Sequence, residues 1–187
     1  QRPLLSLSRI MKNEPAEVLD AKVQVDESTI ALTQAGDSYK STVHVVKNHT
    51  KYPLEQFTLT DSLSEQAWPT ELWTGTYNQK LTYSVEYQTN QDEEWVLWAK
   101  GLDTETNHHL EVPEELTGEE EHIQAFRMCY GTVDGGFDRE EAPAYLVKTR
   151  ATAKGTIPNE IEVTGVQAGV VYRDEADTLT RIYSRSI

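Results

Sequence analysis

Apolar and polar residues alternate along several segments of the chain, which is the pattern of a β-strand with one buried face. In the clearest segment, 81–89, Leu81, Tyr83, Val85 and Tyr87 fall on one face and polar residues fall on the other. Further candidate strands are 4–10, 42–46, 56–60, 122–130, 145–150, 159–164 and 179–183. This alternation predicts an all-β fold.

Short turn signals separate the candidate strands, among them Gly36-Asp37, Asn90-Gln91-Asp92 and Gly135-Gly136. Their spacing is typical of a β-sandwich. Only the range 111–121 tolerates a helix, and its proline and glycine limit that helix to about one turn. Because no internal repeat or linker divides the sequence, we expect a single domain over residues 1–187.

The charge balance excludes several classes of partner. The chain has 17 Lys and Arg against 31 Asp and Glu, for a formal net charge of −14. Nucleic acid and anionic membranes would be repelled by such a surface. No segment approaches the roughly 20 consecutive apolar residues that a membrane-spanning helix needs. The single cysteine, Cys129, excludes an internal disulfide and a cysteine-based zinc site.

Four segments resemble a known family when they are taken in order. Residues 35–48 resemble the Gly-Asp-x-x-x-Tyr-x-Val-x-Val-x-Asn stretch of the conserved-repeat domain of bacterial surface proteins. Residues 53–63 are similar to the next strand of that domain, which ends in Thr-Asp-x-Leu. Residues 159–165 are similar to its closing Asn-x-Ala-x-Val-x-Gly strand, and residues 5–9 to its opening Leu-x-Leu-x-Lys strand. The middle of the chain, about 65–150, is longer than in a typical repeat.

The resemblance implies an immunoglobulin-like β-sandwich with Greek-key connections and an elongated middle region. It also implies a place on the outside of a Gram-positive cell, in a wall-anchored adhesin or pilin-like protein. The domain would then be a non-catalytic stalk module without a cofactor, and its partners would be neighbouring domains of the same surface protein.

Relatives of this architecture often carry an intramolecular isopeptide bond, and the resemblance raises the same possibility here. A lysine on the first strand is joined to an asparagine on the last, with help from a buried Asp or Glu. Burial disfavours the charged ammonium, so the neutral amine can attack an amide that a protonated carboxyl group polarises. Asn159 is in phase with Ile157, Ile161 and Val163, so we expect its side chain to point inward.

The nucleophile for such a bond is not apparent from the sequence. Arg9 occupies the position in phase with the first apolar residues, and arginine stays protonated and cannot attack. Lys12 and Lys22 are the remaining candidate nucleophiles, and Glu86 is the candidate acid. The alternative is that Asn159 hydrogen-bonds to nearby groups and no crosslink forms.

Aromatic residues are concentrated in the middle of the chain, where Trp68, Trp73, Trp95 and Trp98 accompany Tyr77. Exposed on one face, they could bind a host glycan or host protein, which is the alternative function. The alternative is that one or two of the tryptophans close the sandwich core, as a central tryptophan commonly does. Trp95 and Trp98 are three residues apart, so on one strand they would face opposite ways.

The remaining chemistry-bearing residues form no known catalytic or metal-binding pattern. The five histidines lack zinc-site spacing, and the acidic loops at 134–138 and 174–177 do not match a calcium-binding loop. Cys129 is interpreted as a small buried residue of a strand. A phosphate-binding glycine loop and a nucleophile elbow are both absent from the sequence. We therefore expect no catalysis, no metal and no cofactor.

Overall fold

The computed structural model describes residues 21–183, which form two β-sheets packed face to face. The strands are β1 (Val23–Thr29), β2 (Leu32–Gln34), β3 (Ser38–Asn48), β4 (Leu54–Leu63), β5 (Ala67–Trp73), β6 (Thr76–Tyr77), β7 (Thr82–Thr89), β8 (Asp92–Asp103), β9 (His109–Glu111), β10 (Ile123–Val133), β11 (Arg139–Glu141), β12 (Ala144–Thr149), β13 (Gly155–Gln167) and β14 (Val170–Tyr183). One 3-10 turn, Glu114–Leu116, lies in the segment that the sequence left open to a helix.

The chain crosses repeatedly between the two sheets. The five-stranded sheet has the order β1-β3-β12-β5-β9, and the seven-stranded sheet has the order β2-β14-β13-β4-β10-β7-β8. A two-stranded ribbon pairs β11 with β6. Strands that neighbour each other are therefore often distant in sequence, as β4 is from both β10 and β13. The predicted all-β sandwich is confirmed. The candidate first strand at 4–10 lies outside the described residues.

Alternating burial along the strands builds the core between the sheets. In β13 the side chains of Ile157, Asn159, Ile161 and Val163 are buried, while the residues between them face outward or lie half-buried. Phe57 of β4 packs against aromatic neighbours in the same core. The same alternation that predicted the strands thus also places the polar side chain of Asn159 in the interior.

The first described strands run parallel to the last one. β2 pairs in parallel with the end of β14, with Leu32 beside Arg181 and Gln34 beside Tyr183. Along β1, the backbone N–H of Val25 donates to the Asp174 carboxylate at 2.9 Å, and the hydroxyls of Thr29 and Thr180 lie 3.1 Å apart. Both sets of residue numbers rise together, so β1 and β14 share one direction. The start of β1 and the end of β14 therefore lie toward opposite poles of the sandwich.

Candidate functional site

A cluster of buried polar side chains crosses the interface between the two sheets. We call Glu27, Ser41, Asp61, Tyr145 and Asn159 the carboxyl cluster. Each has a relative exposure of 3 % or less. Glu27, Ser41 and Tyr145 come from β1, β3 and β12 of the five-stranded sheet, and Asp61 and Asn159 come from β4 and β13 of the seven-stranded sheet. The cluster therefore connects both layers of the sandwich.

The hydroxyl of Tyr145 is the centre of the cluster. It donates a hydrogen bond to Glu27 Oε1 at 3.1 Å and accepts one from Asn159 Nδ2 at 2.9 Å. The Ser41 hydroxyl donates to the same Glu27 oxygen at 3.4 Å. Tyr145 thereby holds the Glu27 carboxyl group and the Asn159 amide on two sides of one oxygen atom.

Several oxygen atoms of the cluster receive no hydrogen bond from the described residues. They are Glu27 Oε2, both carboxyl oxygens of Asp61 and Asn159 Oδ1. Asp61 nevertheless lies within hydrogen-bonding reach of Glu27. Two ionised carboxylates are both acceptors and cannot bond to each other. A proton on one of them supplies the missing donor, so the geometry fits a carboxyl pair that shares a proton.

The electrostatics of the cluster favour this protonated pair. Burial raises the pKa of Asp61 well above its ordinary value, and the negative charge of Glu27 raises it further. Burial also raises the pKa of Glu27, although hydrogen bonds from Asp61, Tyr145 and Ser41 act in the opposite direction. Because the charged forms are disfavoured in a dry interior, the pair retains a proton over a wider pH range than exposed carboxyl groups do.

The structure brings Asn159 together with acids rather than with a lysine. Glu27 is buried in phase with Val23 and Val25 of β1, and its carboxyl group accepts a hydrogen bond from the same Tyr145 hydroxyl that binds the Asn159 amide. Arg9 and Lys12, considered from the sequence, lie outside the described residues. None of the lysines within 21–183 is buried.

The other two crosslink candidates lie away from the carboxyl cluster. Lys22 precedes β1, and its backbone carbonyl accepts a hydrogen bond from the N–H of His49. Glu86 of β7 accepts a hydrogen bond from Arg127 Nε at 2.7 Å, and both side chains are partly exposed. The crosslink thus remains a prediction, and the acid that shares the Tyr145 hydroxyl with Asn159 is Glu27.

The sequence contained signals for the residues that its interpretation missed. Asp61 is in phase with the buried Leu59 and Leu63, which marks it as inward-facing. Glu27 is in phase with Val23 and Val25 in the same way. A carboxyl group at a core position is rare unless it is paired, so either residue alone indicates a buried partner.

The two tryptophans of β5 are covered by neighbouring side chains. Trp68 is buried and stacks on His122, with ring centroids 4.8 Å apart, and the guanidinium of Arg150 lies 5.4 Å from its ring. Trp73 is half-buried and stacks on His109, also at 4.8 Å. Both positions belong to the five-stranded sheet.

The remaining aromatic candidates occupy other surroundings. Trp95 and Trp98 are half-buried on β8 of the seven-stranded sheet; the Arg127 guanidinium covers Trp95 at 4.1 Å, and Trp98 packs edge-on against Tyr87. Tyr77 is buried, and its hydroxyl donates to the carbonyl of Thr74 at 2.8 Å. All five rings are therefore at least half covered by neighbouring side chains, and a binding role for them stays a prediction.

The described residues contain no group of three or more His, Cys, Asp and Glu side chains arranged to hold a metal ion. Within 21–183 no helix is long and apolar enough to cross a membrane. Cys129 is half-buried rather than fully buried, and burial followed by the nearby Glu86 charge raises the pKa of its thiol. A raised pKa makes a thiol less reactive.

Comparison with known proteins finds similarities of shape and none of sequence. No protein-family model and no curated protein matches the chain. A cohesin module from a Clostridium perfringens family 33 glycoside hydrolase is similar, with a TM-score of 0.46 and 6 % identity over 88 % of this chain and 99 % of that one. The collagen-binding subdomain of the Enterococcus faecalis surface protein ACE has a TM-score of 0.37 and 8 % identity, covering 84 % and 95 %.

A third similar structure is the collagen-binding domain of a Staphylococcus aureus adhesin, with a TM-score of 0.39 and 8 % identity over 84 % of this chain and 96 % of that one. At these identities and scores the similarities assign no function to the chain.

Proposed function

We propose that this chain is a non-catalytic spacer module of an extracellular bacterial surface protein, of the adhesin or pilin-like kind. The observation that carries the proposal is the parallel course of β1 and β2 with β14. A sandwich whose first described strand starts toward one pole and whose last described strand ends toward the other can be stacked end to end with its neighbours. Its partners are then the adjoining domains of the same protein.

The same arrangement resists pulling. Tension between the two poles draws β2 and β14 in opposite directions along their common axis. The three paired positions, from Arg181 with Leu32 to Tyr183 with Gln34, then share the force at the same time. If both ends were pulled from one pole, the contacts would break one after another. A domain within a stalk would be pulled between its two poles, which is the geometry in which these contacts share the force.

Features of the sequence agree with a surface location. The resemblance of residues 35–48 and 159–165 to conserved-repeat domains implies a wall-anchored parent protein. The net charge of −14 suits a solvated exterior module that does not associate with nucleic acid or anionic lipid.

Single-molecule pulling tests the spacer function. Pulled from its two chain ends, the full chain should unfold at a clearly higher force than when pulled from the amino end and residue 167. Gln167 is at the β13–β14 hairpin, on the pole where β1 begins. Gln167→Cys in a Cys129→Ala background supplies the second attachment point. Forced unfolding depends on the unfolding barrier, so equal forces in the two geometries would contradict the proposal.

A second candidate function is recognition of a host glycan or host protein through β8. Half-buried Trp95 is followed there by Val96 and Leu97, which are 43 % and 51 % exposed on an edge strand. Titration with a glycan and matrix-protein panel should then quench tryptophan fluorescence, and Leu97→Lys should abolish the response. Val170→Lys, at an equally exposed apolar position on β14, is the matched control. An unchanged signal across the panel would contradict this function.

A further inference from the structure

We propose that the carboxyl cluster is a proton-dependent lock between the two sheets. With a shared proton it fastens β1 to the seven-stranded sheet, and loss of that proton releases β1. This goes beyond the spacer function, because it makes the attachment of one strand responsive to the pH around the cell.

The lock is placed where it can couple the sheets. Glu27 belongs to β1 in one sheet, while Asp61 belongs to β4 in the other, and they lie within hydrogen-bonding reach. Tyr145 extends the connection to Asn159 of β13. Every contact between these carboxyl groups therefore spans the interface between the layers.

β1 is the element that should respond. Within the described part of the chain it is the edge strand of the five-stranded sheet and pairs there with β3 alone. The register between β1 and β3 shifts between Asp26 and Ser28, which leaves Glu27 at a bulge in the ladder. The backbone pairing is thus already interrupted at the residue that holds the carboxyl group, and side-chain contacts matter more there.

The described groups that face Glu27 and Asp61 carry no positive charge that would stabilise the state in which both carboxyl groups are ionised. From β1 the neighbour is Asp26, from β3 it is Tyr39, and from β12 it is Tyr145. Asp26 is itself hydrogen-bonded to His44 at 3.1 Å, and both are partly exposed. β13 and β14 present Asn159 and Thr180 to this region, and neither titrates. Among residues 21–183, none of the groups next to the pair is a lysine or an arginine.

The sign of the pH effect follows from these surroundings. The folded protein holds the pKa of Glu27 and of Asp61 above the values of the unfolded chain. Such groups contribute stability that is fully present below their ordinary values near 4 and that is lost as the pH rises through the raised pKa of the pair. His49 and His122 have lowered pKa values, chiefly through burial. Their contribution to stability is therefore lost as the pH falls, which is opposite to the effect of the carboxyl pair.

Unfolding of the full chain should be measured by denaturant from about pH 4 to about pH 9, together with amide hydrogen exchange of β1. Through the titration of the pair, the unfolding constant of the wild type should rise by up to about tenfold per pH unit for each proton released. Protection of the β1 amides, corrected for intrinsic exchange rates, should fall before that of β10 and β13.

The decisive variant is Glu27→Gln, which keeps the shape of the side chain and removes one carboxyl group. It should reduce this part of the pH dependence to the titration of Asp61 alone, and Glu27→Gln combined with Asp61→Asn should abolish it. Glu162→Gln on the outer surface should leave it unchanged. If Glu27→Gln does not fold, infrared spectroscopy of the wild type decides, because a protonated carboxyl band should persist in the folded protein to a higher pH than in the unfolded chain. A wild-type profile that is flat, an undiminished slope in Glu27→Gln, a slope retained in the Glu27→Gln/Asp61→Asn double variant, or the absence of that band would overturn the proposal.

Discussion

The Glu27→Lys variant is expected to form a covalent amide between β1 and β13. Its new amine would replace the Glu27 carboxyl group beside Tyr145, which holds the Asn159 amide at 2.9 Å. Burial disfavours the ammonium form, so the amine of a lysine at this position would tend to be neutral. The neutral amine would attack Cγ of Asn159, the new C–N bond would form, and the amide nitrogen would leave as ammonia.

Intact-mass measurement checks this expectation, since the folded variant should lack the mass of one ammonia. By the chain-entropy relation for crosslinks, closing so long a loop should stabilise the protein by about 4–5 kcal/mol. Glu27→Arg is the matched control, because a guanidinium is permanently charged and cannot attack. The double variant Glu27→Lys/Asn159→Ala has no amide to attack, so its measured mass should equal that of its sequence, without the loss of ammonia. A folded Glu27→Lys protein with the mass of its full sequence would contradict the placement of position 27 within reach of the Asn159 amide.

The Tyr145→Phe variant is expected to lose stability through the carboxyl cluster rather than through packing. Removal of the hydroxyl takes one donor from Glu27 and leaves Asn159 Nδ2 without its acceptor. Each buried polar group left unpaired costs about 1–3 kcal/mol. The edge-on contact of the ring with Phe126 remains available to phenylalanine, so little packing is lost.

Denaturant unfolding of the wild type and of Tyr145→Phe near neutral pH measures this loss. Tyr183→Phe is the control, because Tyr183 is 47 % exposed and its hydroxyl stays in water. The expected result is a substantial destabilisation by Tyr145→Phe and a negligible one by Tyr183→Phe. If both variants unfold alike, the hydrogen bonds of Tyr145 do not stabilise the cluster.

The strands were predictable because their alternation is local. The segment 81–89 became β7 with Tyr83 and Val85 buried, as their phase indicated. Asn159 points inward for the same reason. Glu86 alternates with Val85 and therefore lies on the outer face, so its phase already separated it from Asn159.

The composition of the cluster could not be predicted from local pattern. Glu27 and Asn159 are brought together only by the packing of one sheet on the other, and no periodicity in the sequence encodes such a contact. The aromatic candidates illustrate the same limit. The covering of Trp68 by His122 and of Trp95 by Arg127 depends on residues from distant strands. Sequence spacing thus assigns a side chain to a face but does not identify what lies across from it.

Because β1 begins and β14 ends toward opposite poles, the length of the sandwich determines how much one domain adds to the length of a stack. At a rise of about 3.3 Å per residue, the 14 residues of β14 extend about 45 Å. Copies joined in tandem would advance by a step of this order, so the distance from the cell at which a terminal domain operates would scale with the number of repeats. A sandwich whose two ends emerged together would add bulk with each copy and almost no height.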